Sequence, residues 1–418
     1  MIASLEGLRS AAGVDGDEIP REKVLEMIKE LCETAGIPWT ELLGRHMLHD
    51  ISQRWEIPED RALTLKEVVC VVDHFKSVPR HIARESAKVA VLGGGAFGTA
   101  MANALARRKY DVVILMRPEE QDHIHSINEK HINTMCFADV ILEPTLRATM
   151  EAKEALEGCS LVCHAIPVQF SARFLKSIKE HIPPNAPIVS TSKGISVETL
   201  EYMDNIIESV MGDHPTAYLS GPSFAQGVLI GDPTIFTLAS KKAEVARQVQ
   251  EMLCSSDVKC YTTTDVTGVL VVSALKNVLA IALGLALGLG LGPNTQCALL
   301  ARGWKDIRAL CLAHGGSSDT LNGLSGLGDL TMTCFGGMSR NAKFGGFLAQ
   351  GQSKEEALKS VGQVVEGLPT AGAISRLAKK LNVKIPVLHA VNEMLEGRLG
   401  PRDLISFIMA LPFENEFA

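Results

Sequence analysis

The chain has 418 residues, enough for roughly two or three domains. With 46% hydrophobic and 21% charged residues it reads as an ordinary soluble protein with material for a sizeable core. A net charge of −7, without any basic block interleaved with aromatics, argues against a nucleic-acid footprint.

Residues 1–86 predict a helical module. One helix is expected over 20–31, where Val24, Ile28 and Leu31 share a face and Gly36 marks the stop. A second is expected over 40–55. A third opens with Thr64 and Glu67 at capping-box spacing and places Val68, Val71, Val72 and Phe75 inside. This segment holds 11 Lys and Arg against 16 Asp and Glu, so most of the negative charge sits here. Glu6, Arg9, Asp15, Asp17 and Glu18 interrupt any apolar run at the start, so neither a secretory signal nor a transit peptide is expected. Asp15 and Asp17 mimic an Asp-x-Asp nucleophile pair, but no hydrophobic strand leads into them; they read as solvated loop charges.

From 87 to 265, apolar β-type runs at 89–92, 112–116, 161–166, 188–190, 217–219 and 235–238 alternate with helical patterns. That alternation predicts an α/β, doubly wound parallel sheet. The first run leads into Gly93, Gly95 and Gly98, followed by a helical segment over 99–108. Three glycines at this spacing recur by chance in a chain with 36 of them. The strand before and the helix after give them meaning: Gly93 for the turn, Gly95 for close approach of a diphosphate, Gly98 for helix-on-strand contact.

The second strand ends near Met116-Arg117-Pro118-Glu119. Arg117 stands where an acid often meets the ribose, so it suits either a 2′-phosphate or a solvent-facing stack on the adenine; NAD against NADP stays open. Cys159 and Cys163 could lie one helical turn apart or flank a strand start. The ten cysteines form no CxxC pair and suggest no metal site; buried, reduced thiols are expected. Lys193 lies just past the run 188–190, where open sheets place ligands, though a surface lysine reads the same way. Ser220-Gly221-Pro222-Ser223-Phe224-Ala225 offers a tight turn after another strand.

From 266 onward, helical patterns separated by Gly- and Pro-marked turns predict an all-helical second domain. The apolar stretch 278–292 is too short and Gly-studded for a membrane span and reads as a buried core helix. Lys276 sits within an otherwise apolar helix. Burying an ammonium is costly, and desolvation lowers its pKa toward the range useful for proton transfer. A snorkelling lysine is the plain alternative. Asp329, in Gly326-Leu327-Gly328-Asp329, suits equally a partner for a buried lysine or a helix cap. Ser339-Arg340-Asn341 precedes a helical run over 342–349; Ser339 as N-cap, with Arg340 and Asn341 beside it, outlines a phosphate site.

In this order the motifs resemble the NAD(P)-dependent glycerol-3-phosphate dehydrogenase family, over about residues 88–412. The runs that carry the likeness are GGGAFGTAMA, IPVQF, STSKGIS, SGPSFA, SALKNVLAIALG, GLSGLGDLTMTC, SRN and VVEGLPTAGA, and their wording is nearest to plant-plastid and algal members. The resemblance implies reversible hydride transfer between a nicotinamide and carbon 2 of dihydroxyacetone phosphate, serving glycerolipid or glycerol metabolism. It implies catalysis by Lys276, with Lys193 and Asp329. It implies substrate contacts from Lys193, Gly221, Ser223, Lys276, Asn277, Asp329, Thr333, Ser339, Arg340 and Asn341. Cofactor contacts fall on Gly93, Gly95, Ala96, Phe97, Gly98, Phe170, Lys193, Ala225, Arg340, Val364 and Glu366, with Arg117 the ribose-end candidate. NAD is the expected cofactor, with NADP open, and no metal is needed. A homodimer in the cytoplasm is expected, with plastid stroma the alternative compartment. The 86-residue extension departs from the compact family form and is too short for the phosphatase domain of some algal members.

Overall fold

The computed structural model of the protein describes residues 18–34, 48, 61–64, 67–68 and 87–412. The chain divides into two units, residues 1–83 with 254–256 and residues 84–253 with 257–418. In the first unit strands β1 (Glu18–Ile19) and β2 (Leu63–Thr64) pair antiparallel, a small ladder that the helical reading lacked. Helix α1 runs Arg21–Thr34, longer than the expected 20–31, and buries Val24, Met27 and Ile28. The cap at Thr64 is reciprocal: its N–H donates to Glu67 Oε2 at 2.7 Å, and the Glu67 N–H donates to Thr64 Oγ1 at 3.4 Å. Arg61, hydrogen-bonded to the Glu67 carboxylate, draws that group down to about 2. Apart from Leu48, which is helical and buried, the helix expected over 40–55 lies outside the described residues, as do Asp15, Asp17, Val71, Val72 and Phe75.

The second unit begins with alternating strands and helices. They are β3 (Lys88–Leu92), α2 (Ala96–Arg107), β4 (Asp111–Leu115), α3 (Gln121–Lys130), β5 (Arg147–Thr149), α4 (Ala152–Leu156) and β6 (Leu161–His164). Then come α5 (Val168–Ile178), β7 (Ile188–Ser190), α6 (Met203–Met211), β8 (Thr216–Ser220), α7 (Ala225–Ile230), β9 (Thr234–Ala239), α8 (Ala243–Leu253) and β10 (Val258–Thr263). One eight-stranded sheet results, in the order β10-β9-β8-β7-β6-β3-β4-β5. The two strands absent from the sequence reading, β5 and β10, are its edges. An edge strand needs no continuous apolar run, and Val-Lys-Cys-Tyr-Thr-Thr of β10 alternates buried and exposed before fraying.

The sheet is parallel except between β8 and β9, which run antiparallel, a correction to the all-parallel expectation. The connecting helix α7 has six residues. It rises only about 9 Å, short of the roughly 17 Å needed to carry the chain back along a five-residue strand.

After Thr263 the described residues form only helices: α9 (Val266–Gly288), α10 (Pro293–Ala313), α11 (Ser318–Asn322), a π-turn (Leu324–Gly328) and α12 (Asp329–Phe335). Next are α13 (Arg340–Ala349), α14 (Lys354–Val361), α15 (Gly367–Leu381), α16 (Pro386–Leu395) and α17 (Asp403–Met409). Helix α9 is the core of this half. Its length and hydropathy would suit a membrane span, yet that stretch is wholly enclosed by protein. Asp265 caps it, Oδ1 accepting the Gly268 N–H at 2.9 Å while Oδ2 takes the Ser317 N–H at 2.9 Å and the Thr320 hydroxyl.

Glycines bring α9 and α13 into backbone contact. A Cβ on Gly284 would lie 1.9 Å from the Ala342 carbonyl oxygen, and one on Gly345 would lie 2.0 Å from that of Ile281. This contact sets the start of α13 beside the polar residues of α9. Sheet and helices also meet directly: the Ser220 hydroxyl at the end of β8 lies 2.6 Å from that of Ser273 on α9.

Candidate active site

The glycine turn has the geometry its spacing implied. Gly93 adopts φ +104°, and a Cβ there would meet Ile166 Cδ1 at 2.9 Å. A Cβ on Gly98 would stand 2.1 Å from the Gly93 carbonyl oxygen, so only glycine lets α2 sit this close to the turn. Gly95 differs: it is exposed, and a Cβ there would meet nothing within 4 Å. Protein packing therefore places no demand on Gly95. Helix α2 starts at Ala96 with no side-chain cap, so its first N–H groups face outward at the positive end of the dipole. A glycine cradle with backbone donors fits a dinucleotide diphosphate. Phe97, from the first turn of α2, meets Phe236 of β9 edge-on at 6.5 Å.

Strands β3, β6 and β7 are neighbours, so the glycine turn and the segment past Ser190 open on the same end of the sheet. Lys193 lies in that segment and donates to Asp329 Oδ2 at 2.8 Å. The plain surface-lysine reading is thereby replaced by a half-buried ion pair. Lys276, 4% exposed, donates to Thr333 Oγ1 at 2.7 Å and lies 3.0 Å from Asp329 Oδ1. The snorkelling alternative fails, because the ammonium ends among buried partners. Thr333 also donates to Asp329 Oδ1 at 3.2 Å. Asp329 is the first residue of α12, directly after the π-turn, so it is both a first-turn acid and the lysine partner.

Burial drives the Lys276 pKa below the ordinary lysine value; Asp329 opposes that shift and Lys193 adds to it. For Asp329, burial acts to raise the pKa, but the two ammonium groups outweigh it and hold the carboxyl below its usual range. The thiol of Cys334, nearby on α12, is pushed up to about 12 by burial. Cys159 and Cys163 are likewise buried, at about 11 and about 12, with Cys163 inside β6.

Asn277, one residue on from Lys276, accepts from Asn341 Nδ2 at 3.1 Å, and Asn341 Oδ1 takes the Gly367 N–H at 2.9 Å. Asn341 thus joins α9, α13 and the start of α15. Ser339 caps α13 by accepting the Ala342 N–H at 3.3 Å, as its position implied. Arg340 is exposed at the first position of that helix. Burial raises the Glu366 pKa, while the charges of Arg340, Lys193 and Lys276 pull it back. Gly221, φ +140°, presses against the backbone of Ile235 and Phe236, and Ser223 donates to its carbonyl at 3.1 Å. Ala225 opens α7. Arg117, Phe170 and Val364 lie at the surface; Phe170 is 63% and Val364 53% exposed. The Arg117 guanidinium is held by Glu120 at 2.6 Å.

Three side chains at this end of the sheet carried no signal in the sequence. Thr99 and Asn133 both bond the glycine turn. His164 ends β6 fully buried, its imidazole pushed down to about 4 by burial, with Nδ1 near the Ser190 and Ser192 hydroxyls. Buried asparagine, threonine and histidine inside ordinary helix, loop and strand patterns cannot be told from core polar residues by spacing.

A buried amine at the same sheet end as a glycine turn with outward N–H groups suits hydride transfer to a carbonyl, which needs a dinucleotide and a proton donor side by side. Sheet, turn and amine define a nicotinamide-dependent dehydrogenase. Residues 88–246 match the family described as NAD-dependent glycerol-3-phosphate dehydrogenase N-terminus, and residues 265–406 match its C-terminus. The chain belongs to the NAD(P)-dependent glycerol-3-phosphate dehydrogenases and is an oxidoreductase of that family. It is 43% identical over 337 residues to a chloroplastic glycerol-3-phosphate dehydrogenase [NAD(+)] of Oryza sativa subsp. japonica, covering 80% of this chain and 77% of the relative. It is 40% identical over 332 residues to the glycerol-3-phosphate dehydrogenase [NAD(P)+] of Leptospira biflexa, covering 79% and 99%. Among solved structures, glycerol-3-phosphate dehydrogenase from Coxiella burnetii superposes with a TM-score of 0.75 at 31% identity, over 78% of this chain and 99% of that one.

Proposed function

We propose that Lys276 is the proton donor and acceptor in the reversible, NAD(P)H-dependent reduction of dihydroxyacetone phosphate to sn-glycerol 3-phosphate. The observation that carries this is its buried ammonium, bonded to Asp329 and Thr333 and free of bulk water. When bound, the nicotinamide supplies a hydride to carbon 2 or takes it back. In reduction the Lys276 ammonium gives a proton to the oxygen on that carbon; in oxidation the neutral amine accepts it. Asp329 orients the amine and keeps its charged form accessible. Lys193 adds positive charge beside the oxygen, where negative charge develops.

The Ser339-capped start of α13, with Arg340 and Asn341, would hold the phosphate. Gly221, Ser223, Asn277 and Thr333 complete the substrate surface in this reading. Gly93, Gly95, Ala96, Phe97 and Gly98 would cradle the dinucleotide, with Arg117 at the ribose end. Phe170, Ala225, Val364 and Glu366 would line its length, and Lys193 and Arg340 would touch both ligands. Supporting this assignment is the uncapped start of α2 in front of a glycine that protein packing does not require.

We treat residues 87–265 and 266–418 as the cofactor and substrate domains, with 1–86 as an N-terminal extension. A symmetric homodimer is the assembly we infer, since two-fold dimers are the commonest closed form. The thiols of Cys136, Cys159, Cys163, Cys297, Cys311 and Cys334 form no disulfide, which favours a reducing compartment: the cytoplasm, or the plastid stroma if this chain follows its chloroplastic relatives. Initial rates with NADH and NADPH at fixed dihydroxyacetone phosphate test the reading. Turnover that needs the phosphate ester and fails with dihydroxyacetone supports it. Equal rates with both compounds would refute the phosphate site.

A further inference from the structure

We propose that Asn133 is a positioning residue for the diphosphate-facing peptide of the glycine turn, an inference that rests on the cofactor placement above. Asn133 is fully buried, 39 residues along the chain from Gly94, in the loop that follows α3. His131 ends that helix in the left-handed region (φ +55°), and Asn133 makes an isolated antiparallel bridge with Phe137.

Its amide has one consistent orientation. Oδ1 accepts the Met135 N–H at 3.1 Å, which leaves Nδ2 facing two acceptors. These are the Gly94 carbonyl oxygen and Thr99 Oγ1, each 2.8 Å away. Having accepted from Asn133, the Thr99 hydroxyl uses its own hydrogen on the same Gly94 oxygen, at 3.1 Å. The three groups close a triangle, and both lone pairs of one carbonyl are engaged.

That carbonyl belongs to the peptide whose N–H is Gly95. In a trans peptide the C=O and N–H point in opposite directions. Pinning the Gly94 oxygen toward Asn133 and Thr99 therefore turns the Gly95 N–H the other way, toward the open face of the turn. The surroundings of Gly95 are open as well, since a Cβ on it would meet no protein atom within 4 Å. A side chain at Gly94 would displace Met116, whose Cε would lie 2.5 Å from its Cβ. Asn133 and Thr99 thus hold one diphosphate donor in place without touching the ligand, which removes a reorganisation cost from binding.

The test is calorimetric binding of ADP-ribose, which carries the diphosphate, and of adenosine, which lacks it, to the full chain and to three variants. Asn133→Ala and Thr99→Val are expected to raise the Kd of ADP-ribose roughly tenfold, the scale of one well-placed hydrogen bond. The Kd of adenosine and the KM for dihydroxyacetone phosphate at saturating NADH should stay put, and Thr99→Ser should bind ADP-ribose as the wild type does. If Asn133→Ala does not fold, the Thr99→Val and Thr99→Ser pair decides the matter. An unchanged ADP-ribose Kd in folded variants, or equal weakening of both ligands, overturns the inference. A wild type that does not bind ADP-ribose would instead overturn the cofactor placement, and this inference with it.

Discussion

The Asp329 carboxylate holds two ammonium groups at once, with Lys276 Nζ at 3.0 Å from Oδ1 and Lys193 Nζ at 2.8 Å from Oδ2. Two positive and one negative charge in a buried cluster leave an excess positive charge, which suits a site where negative charge develops on a substrate oxygen. One of the two lysines must be able to lose its proton. Lys276 is the more deeply buried of the pair, with 5% of its side chain exposed against 16% for Lys193. Replacing Lys276 with alanine is expected to lower kcat by roughly a hundred- to ten-thousandfold, the range of general acid–base catalysis. The Kd of NADH should be unchanged. Single-turnover rates and a fluorescence titration check both, and near-normal turnover removes Lys276 from the chemistry.

The pH dependence follows from the same cluster. Burial sets the Lys276 pKa below the ordinary lysine value, with Asp329 opposing the shift. Carbonyl reduction needs the protonated amine, so its rate should fall as pH rises through that pKa. Alcohol oxidation needs the neutral amine, so its rate should rise over the same interval. Asp329→Asn removes the group that favours the charged amine and leaves Lys193 to disfavour it. The alkaline limb of the reduction profile should then move to lower pH. A limb that stays in place, measured as kcat/KM against pH in both directions, would assign it to another group.

Arg340 sits at the first position of a helix whose cap is Ser339 and whose next residue, Asn341, is tied to Asn277. A guanidinium at a helix start adds a mobile charge to fixed N–H donors. Arg340→Ala is expected to raise the KM for dihydroxyacetone phosphate by about ten- to a hundredfold, the loss of one charge-assisted contact. Turnover at saturation should change far less. An unaltered KM would place the phosphate elsewhere.

Just past β4, at the proposed ribose end, Glu120 accepts from Arg117 Nη2 at 2.6 Å and from its Nε at 3.1 Å, while also taking the Arg117 backbone N–H at 3.0 Å. A 2′-phosphate would have to draw the guanidinium away from a carboxylate that would also repel it; a 2′-hydroxyl could donate to that carboxylate. NADH is therefore the expected partner. Glu120→Gln should raise the NADPH-to-NADH ratio of kcat/KM several-fold, a modest figure because the Arg117 guanidinium is exposed to solvent. A ratio that does not move would show that Arg117 is no part of the ribose site.

Much of this was legible from residue pattern, for reasons that differ by element. Buried central strands declare themselves as apolar runs, whereas β5 and β10 at the edges do not, since one face or one side meets solvent. Lys276 stood out because an ammonium within an apolar helix demands a partner. That the partner would be shared with Lys193 depends on a fold that joins positions 136 residues apart. Thr99 and Asn133 were invisible, because their role lies in the direction of one carbonyl. The antiparallel entry of β9 was hidden too, since helix length and strand length had to be compared to see it.

The glycine contact between α9 and α13 had no reading in the sequence, yet the placement of the proposed phosphate site depends on it. Gly284 meets the Ala342 carbonyl, two residues beyond Arg340, and Gly345 meets that of Ile281, five residues beyond Lys276. Any side chain at Gly284 must push α13 outward, and Ser339, Arg340 and Asn341 move with it. The Asn341–Asn277 bond at 3.1 Å would be among the first to break. Gly284→Ala is expected to cost about 1–3 kcal/mol or more by overpacking, and to raise the KM for dihydroxyacetone phosphate while the Kd of NADH, set by α2 and the glycine turn, holds. Chemical denaturation and steady-state kinetics on the same preparation check both halves. A stable variant with normal KM would mean that the two helices can separate without moving the phosphate site.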